Sequence, residues 1–291
     1  MKPAKFDYHA PTTVEEVLDL LAQHGTEAKL LAGGQSFVPV LNFRLARPAV
    51  VIDLNRVDGL AFIEERGDTV AIGAMTRQRR VERSEVVARR LPLLHDATRW
   101  IGHLPIRTRG TIGGSVANAD PAAEDPAVVR ALDATMVVRS RRGERKVPAA
   151  DYFRGLLTTA IEPDELLCAI EFPVAPPGAG AAFAEISRRH GDFALAGVGA
   201  QLVMAGGRVG EVRLAACGVG PGPVRLAAAE AIVARDGLTE KAMDAAADAA
   251  ASEVAPSGDV HASADYRRRL TRAMTRQALA AAAARATGAR A

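Results

Sequence analysis

Gly110-Thr111-Ile112-Gly113-Gly114-Ser115-Val116-Ala117-Asn118-Ala119-Asp120-Pro121-Ala122-Ala123-Glu124 sets small residues between polar side chains at 111, 115, 118, 120 and 124. A stretch without bulky side chains lets backbone approach a large ligand, and its N–H groups favour an anion. Taken alone, it is also compatible with a surface loop that leads into a helix capped at Asp120. A second stretch bears on the choice. Upstream, Lys29-Leu30-Leu31-Ala32 reads as a short strand running into Gly33-Gly34-Gln35-Ser36. By itself that stretch is compatible with a tight turn. It has neither the Gly-x-Gly-x-x-Gly spacing of a dinucleotide fingerprint nor the Lys-Ser/Thr of a P-loop. Together, the two glycine pairs suggest one pyrophosphate held from two sides.

Around these loops the chain alternates helix and strand. Thr13 and Glu16 form a capping box, Val14, Val17, Leu18 and Leu21 follow at helical spacing, and Gly25 stops the helix. Val50 to Leu54, Thr69 to Gly73 and Leu166 to Phe172 read as strands. Val81 to Arg90 and Leu91 to Trp100 read as helices, and Met136–Val138 with Glu144–Val147 as a hairpin about Arg142-Gly143. Pro173 to Gly180 is a linker. Beyond it, Ala181 to Ser187, Gly197 to Met204 and Val209 to Cys217 form three strands, with Gly206-Gly207 as a hairpin turn. The Ala-rich tail reads as helices broken at Gly237 and at Pro256-Ser257-Gly258, with Tyr266, Leu270, Ala273, Met274 and Leu279 as an inward stripe.

With 291 residues, 48% of them hydrophobic, the chain can bury a full core in two or three domains. Its 37 basic and 34 acidic residues leave a net charge of +3, too balanced to imply nucleic acid. Arg139-Arg141-Arg142 and Arg267-Arg268-Arg269 read as solvated faces or a hairpin tip. Two isolated cysteines, Cys168 and Cys217, exclude a disulfide framework, a zinc site and an iron–sulfur cluster. Met1-Lys2-Pro3-Ala4-Lys5-Phe6 lacks an apolar signal core, and no stretch is apolar enough to span a bilayer, so a cytoplasmic protein is expected.

No nucleophilic or hydrolytic constellation is present. His24, His95, His103, His190 and His261 are scattered, without metal-ligand spacing. His103, between Trp100-Ile101 and the long glycine loop, has some claim to line a pocket. His190-Gly191-Asp192-Phe193 could reach back to it from beyond the linker.

In order along nearly the whole chain, these motifs resemble the flavin-binding medium subunit of the molybdenum hydroxylases, which include aerobic carbon monoxide dehydrogenases and xanthine dehydrogenase-like enzymes. The carrying residues are Lys29 to Ser36, Pro39 with Asn42 to Arg44, Ile106 to Gly114 and Ala119 to Glu124. Pro163 to Leu167, Arg188 to Phe193 and Gly218 to Arg225 complete them. The resemblance implies an α+β fold: a two-subdomain FAD-binding domain of the vanillyl-alcohol oxidase (PCMH) type, then a small antiparallel sheet with a helical bundle. The expected divisions are 1–56, 57–177 and 178–291.

The resemblance also implies roles. Leu31, Ala32, Gly33, Gly34, Gln35 and Ser36 would face Thr111, Ile112, Gly113, Gly114 and Ser115 across the FAD pyrophosphate, binding through backbone N–H groups and hydroxyls. Glu124 would hydrogen-bond FAD hydroxyls, with Asn118 and Asp120 on the same loop. Ile101, Leu167 and Phe193 would lie at the isoalloxazine ring. No side chain would serve as acid, base, nucleophile or metal ligand, because the redox chemistry belongs to the cofactor. The chain would be an oxidoreductase subunit, passing electrons from the [2Fe–2S] clusters of a small subunit to an external acceptor. A large subunit would carry the molybdenum cofactor, in a dimer of heterotrimers. Two departures stand out. Glu185 replaces a Lys of xanthine oxidase-like members, which weakens the case for a nicotinamide acceptor, and Phe193 replaces a Tyr of the carbon monoxide dehydrogenase-like subunits. The Cys-rich loop of the benzoyl-CoA reductase type is absent. Two other readings are a stand-alone flavin oxidase or dehydrogenase with its own substrate pocket, and a non-redox nucleotide-binding module.

Overall fold

Three larger sheets and one two-stranded sheet divide the chain between them, as seen in a computed structural model that describes residues 2–288. The first unit contains β1 (Asp7–His9), α1 (Val14–His24), β2 (Ala28–Leu31), α2 (Phe37–Asn42) and β3 (Val50–Asp53), with β3 parallel to both other strands. The Thr13–Glu16 capping box forms as the sequence requires. Val17, Leu18 and Leu21 of α1 are buried against Val50 and Ile52. Each such side chain contributes about 1.5–3 kcal/mol.

The second unit begins with β4 (Ile63–Arg66) and β5 (Thr69–Gly73). Six helices follow: α3 (Gln78–Glu82), α4 (Glu85–Arg90), α5 (Pro92–Thr98), α6 (Leu104–Arg109), α7 (Ile112–Asn118) and α8 (Glu124–Ala131). It closes with β6 (Thr135–Ser140), β7 (Gly143–Pro148), α9 (Ala149–Tyr152), β8 (Phe153–Gly155), β9 (Thr158–Thr159) and β10 (Leu166–Pro173). Its antiparallel sheet has the order β4-β5-β10-β6-β7. The helix expected over Val81–Arg90 is two helices, because Ser84 breaks the run and caps α4 by accepting from the Val87 amide. The β6–β7 hairpin tip is not merely solvated: Arg139 and Arg141 pair with Glu15 and Asp19 of α1, at 3.2 and 2.8 Å.

The third unit consists of β11 (Gly180–Ser187), β12 (Ala194–Ala205), β13 (Arg208–Cys217), β14 (Val224–Arg225), α10 (Ala227–Asp236), α11 (Glu240–Glu253) and α12 (Ala264–Ala286). Its antiparallel sheet runs in chain order. Strand alternation splits its residues between two faces. Ala182, Val198, Leu202 and Leu214 pack with Leu226, Val233, Met274 and Leu279 of the helices. Phe183, Ala215 and Cys217 face the other way and join the core of the second unit, beside Leu93, Ile112 and Val128.

Two expectations for the tail are corrected. Tyr266 and Ala273 are exposed, and the inward stripe of α12 contains Arg267, Thr271 and Thr275 alongside Leu270, Met274 and Leu279. Thr271 is tolerated inside because its hydroxyl donates to the Arg267 carbonyl, at 2.9 Å. Arg267, read from sequence as part of a solvated cluster, is buried because its guanidinium donates to the carbonyls of Leu195 and Gly218, at 2.8 and 2.9 Å. Both cysteines are free and buried. Among the described residues no helix is long and apolar enough to cross a membrane, and no cluster of His, Cys, Asp and Glu could hold a metal.

Candidate functional site

The two glycine stretches meet, and the second is not a loop but the first turn of α7, capped by the Thr111 hydroxyl. Ala32 to Ser36 leave β2 and turn into α2, with Gly34 at φ +76°, a left-handed conformation that suits glycine. Gly33 lies against the backbone just ahead of α7, where an added Cβ would stand 2.5 Å from the Arg109 carbonyl oxygen and 2.8 Å from the Gly110 Cα. Gly114 faces Ala32, with room for a Cβ only 3.3 Å from the Ala32 methyl.

Two residues not singled out in the sequence hold this closure. The Asn55 side-chain amide donates to the Ala32 carbonyl at 3.0 Å, and Arg77 donates to the Asn55 side-chain oxygen at 2.6 Å. The other arm of the Arg77 guanidinium donates to the Arg109 carbonyl. One Asn–Arg pair therefore ties the rims of both loops. Neither residue belongs to a motif, and only the shared partner reveals the link.

The loops differ in what they leave for a ligand. The amides of Gly33, Gly34, Gln35, Ser36 and Phe37 have no acceptor among the described residues. The Gln35 side chain folds back to donate to the Gly33 carbonyl at 3.2 Å, which steadies the turn. Such a run of unpaired donors, with no titrating side chain among them, forms a nest for a pyrophosphate. In the second loop, the Ile112 and Gly113 amides donate to the carbonyls of Thr76 and Ala74, at 3.1 and 2.9 Å. Those of Gly114 and Ser115 donate to the Thr111 hydroxyl and carbonyl, at 3.1 and 3.0 Å. That stretch offers the Thr111 amide and the Thr111 hydroxyl proton, not a run of backbone donors, since the Ser115 hydroxyl donates to Asp125. Its glycine at 113 serves packing, since a Cβ there would stand 2.5 Å from the Ala74 Cα.

The remaining expected residues are spread around this centre. The Ile112 and Leu167 side chains lie in the core, Ile101 is buried, and Leu31 and Asn118 are half-buried. Asp120 does not cap α8: it accepts from the Ala122 amide at 2.9 Å, and Ala123 occupies the cap position. The Pro121 carbonyl accepts from the Gly218 amide at 2.7 Å, which stitches this loop to the third unit. Phe193 is 67% exposed, on a segment that folds over His103. His103 and His190, far apart in sequence, stack with ring centroids 5.8 Å apart.

Arg107 fixes the floor under that segment. Buried, it donates to the Ile101 and Gly102 carbonyls at 2.9 and 3.1 Å and to Glu82 at 3.0 Å. Burial raises the Glu82 pKa, but the hydrogen bonds from Arg107 and Arg79 outweigh it and hold the carboxyl below its ordinary value. Arg107→Met is expected to cost about 2–3 kcal/mol, since it orphans two carbonyls and half of an ion pair. Urea denaturation checks this, and an unchanged midpoint would show that Arg107 is dispensable to the fold.

Glu124 and Glu185 bring two carboxyls together inside the protein. Glu124 opens α8, and α8 packs on β12 and β13. Burial pushes the Glu124 pKa well up, and the negative charge of Glu185 adds to the rise. Burial also raises Glu185, to about 8. Next to Glu124, burial lifts Asp125 to about 6, against hydrogen bonds from Gln78 and Ser115.

Comparison with known proteins follows the same outline. The family described as the FAD binding domain in molybdopterin dehydrogenase matches residues 4–175, and the CO dehydrogenase flavoprotein C-terminal domain matches residues 181–282. The chain is 44% identical over 287 residues to the 6-hydroxypseudooxynicotine dehydrogenase complex subunit alpha of Paenarthrobacter nicotinovorans, covering 98% of this chain and 97% of that one. It is 39% identical over 285 residues to the carbon monoxide dehydrogenase medium chain of Hydrogenophaga pseudoflava, covering 98% and 99%. A solved structure of carbon monoxide dehydrogenase from Hydrogenophaga pseudoflava superposes with a TM-score of 0.96 at 41% identity, over 98% of this chain and 99% of that one.

Proposed function

The chain belongs to the FAD-binding medium subunits of the molybdenum hydroxylases, and from that premise we propose that it relays electrons from a [2Fe–2S] small subunit to an external acceptor. It is an oxidoreductase subunit, and its cofactor is FAD. When bound, FAD supplies the one- and two-electron redox chemistry. The chain's own residues bind and orient it. The Gly33–Phe37 amides would take the pyrophosphate, with the Thr111 hydroxyl opposite and Ser115 beside it. Ala32 and Gly114 would keep the two loops in contact. Leu31, Asn118, Asp120 and Glu124 would line the remainder of the cofactor's path. Ile101, Leu167 and Phe193 would bound the ring. The three units would divide at 1–56, 57–177 and 178–291.

The observation that carries this reading is the run of unpaired amides closed off by the Arg109-Gly110 backbone. Neutral backbone donors fit a doubly anionic bridge whose charge must not be cancelled by a titrating group. A second observation supports the partners. The helices that flank the two glycine loops keep large apolar side chains in solvent: Val38 on α2, Leu45 just past it at 80% exposure, and Leu104 and Ile106 on α6. Apolar surface beside a cofactor site suits coverage by another chain. We assign it to the other subunits, a molybdenum-cofactor large chain and the [2Fe–2S] small chain, in a cytoplasmic dimer of heterotrimers.

The test is the composition of the purified complex. Tagging this chain in its native host is expected to bring down FAD, iron and molybdenum in fixed ratio. The chain expressed alone and supplied with FAD is expected to show a flavin spectrum without oxidising an organic substrate. A complex free of flavin, or substrate turnover by this chain alone, would overturn the reading.

A further inference from the structure

Gly218-Val219-Gly220-Pro221-Gly222-Pro223-Val224-Arg225 forms the turn from β13 into β14. It is one of the stretches that carry the family resemblance, yet none of its residues is assigned to the cofactor's path. What it holds is α8. At one end, Gly218 stands at φ +77°, and its amide donates to the carbonyl of Pro121, just ahead of the helix, at 2.7 Å. At the other end, the Arg225 guanidinium donates to the Arg130 and Ala131 carbonyls at 3.2 and 3.3 Å and to the Asp133 carboxylate at 2.8 Å. Arg213 of β13 donates to the next carbonyl, that of Leu132, at 3.0 Å. The last turn of a helix leaves its carbonyls without intrahelical partners, and cations there complement the helix dipole.

The turn is itself held in place. The Arg225 backbone pairs with Ala215 of β13, and its Nε donates to Glu230, which also accepts from the Leu214 amide at 2.6 Å. The Gly218 carbonyl accepts from the buried Arg267 at 2.9 Å. One strand turn of the third unit thus grips one helix of the second at both ends.

Apolar packing would not place α8 as closely. Its Ala127, Val128 and Ala131 share a core with Ala215 and Cys217 of β13. Contacts between small apolar groups are non-directional and let one element slide on another, whereas hydrogen bonds fix its position. What depends on that position is the first turn of the helix. Glu124 opens it, and the hydrogen bond to its carboxyl among the described residues comes from its own backbone. Glu124 therefore goes where α8 goes.

We propose that Arg225 is a positioning residue for FAD, which holds the C-terminal end of α8 so that Glu124 at the opposite end meets the cofactor. The third unit then acts on the cofactor through a helix about 12 Å long. The inference rests on the assignment of Glu124 to FAD. The fork of the guanidinium matters as much as its charge, because Nε serves Glu230 while the Nη1 atom serves the helix end. A lysine has one donor head and cannot do both.

The experiment is a titration of the full-length apoprotein with FAD, followed by flavin fluorescence, with Tm recorded on the same samples. Arg225→Lys keeps the cation and is expected to fold but to bind FAD about tenfold more weakly than wild type. Arg225→Met, which lacks the charge as well, is expected to lose more. Leu279→Ala is the control for general loosening. It removes a buried side chain from the third unit's own core, so Tm is expected to fall while FAD affinity stays within about twofold of wild type. Double variants give the decisive reading. Added to Glu124→Ala, Arg225→Lys is expected to cost little further affinity, because the group it positions is already gone. Added to Asn55→Ala, which loosens the first glycine stretch at Ala32, it is expected to cost the same tenfold again, about as independent sites do. Wild-type affinity in Arg225→Lys, a Leu279→Ala protein that loses as much as Arg225→Lys, or a full loss retained in the Glu124→Ala background would each overturn the proposal. Wild-type affinity in Glu124→Ala alone would refute the assignment of Glu124 on which the proposal rests. A wild-type chain that takes up no FAD would refute the cofactor site itself, a separate and recognisable result.

Discussion

Gly33→Ala is expected to strip FAD from the protein while leaving most of the fold standing. The added methyl would meet the Arg109 carbonyl oxygen at 2.5 Å, the Gly110 Cα at 2.8 Å and the Arg109 carbonyl carbon at 3.0 Å. All three are backbone atoms, so no rotamer change relieves the clash. The Asn55–Arg77 tie holds both loops against that position, so the strain must be met by parting them. Overpacking of this kind costs about 1–3 kcal/mol, which a chain with three well-filled cores can survive. The cofactor is far more sensitive, because hydrogen bonds to phosphate fail once donor and acceptor part by about 1 Å. Losing two charge-assisted bonds at about 1.5–3 kcal/mol each lowers affinity by about a hundredfold or more. Gly114→Ala should be milder. Its hard contact is the Thr111 hydroxyl at 2.7 Å, a side chain, and Ala32 stands off at 3.3 Å. Gly155→Ala, which meets nothing within 4 Å, is the control. FAD retained after desalting, read from the ratio of flavin to protein absorbance, ranks the three. Wild-type flavin content in Gly33→Ala would mean that the closure of the two loops does not matter for binding.

Asp96→Ala is expected to loosen the third unit from the second. Asp96 is a buried residue of α5. One oxygen accepts from the Phe183 amide of β11 at 2.8 Å and lies 3.0 Å from the Arg285 guanidinium of α12. The other accepts from Arg99 at 2.6 Å. One carboxylate thus joins a helix of the second unit to a strand and a helix of the third. Alanine would leave the Phe183 amide buried without an acceptor and Arg285 without its counter-charge. An orphaned donor and a lost charge-assisted bond together cost about 3 kcal/mol, which lowers Tm by roughly 5 °C in a chain of this size. Asp96→Asn keeps an acceptor for Phe183 and should lose about half as much. Because α5 and Phe183 of β11 share a core with Ile112 of the second glycine stretch, Asp96→Ala should also weaken FAD binding although Asp96 is not itself assigned to the cofactor. A thermal scan and an FAD titration on the same samples separate the two effects. An unshifted Tm would show that apolar contacts alone hold the two units together.

Local chemistry was legible wherever one segment carried its own partners. The Thr13–Glu16 box, the Gly206-Gly207 turn and the alternating strands of the third unit satisfy themselves within a few residues, so their sequences are explicit. The short helices α2, α6, α7 and α8 were not. Each is too short to show an apolar period, and α8 opens with two buried acids and a proline that read as a loop. The stripe of α12 was misplaced for a related reason. Pattern reading puts apolar residues inside, whereas Arg267 and Thr271 are buried because their polar atoms are already satisfied.

The same division runs through the candidate site. By itself the sequence determined that two side-chain-poor loops exist, and their order along the chain fixed the family and its cofactor. What it could not express is which backbone donors remain available. Every amide looks alike in a sequence, and whether it is spent depends on which carbonyl the fold brings opposite. The tertiary structure gave the amides of the second stretch to Ala74, Thr76 and Thr111 and left those of Gly33 to Phe37 without a partner among the described residues. It also turned Glu185 toward Glu124 across more than one element. Hydrogen bonds and charge pairs are short-range in space and indifferent to separation along the chain, so only packing could decide them.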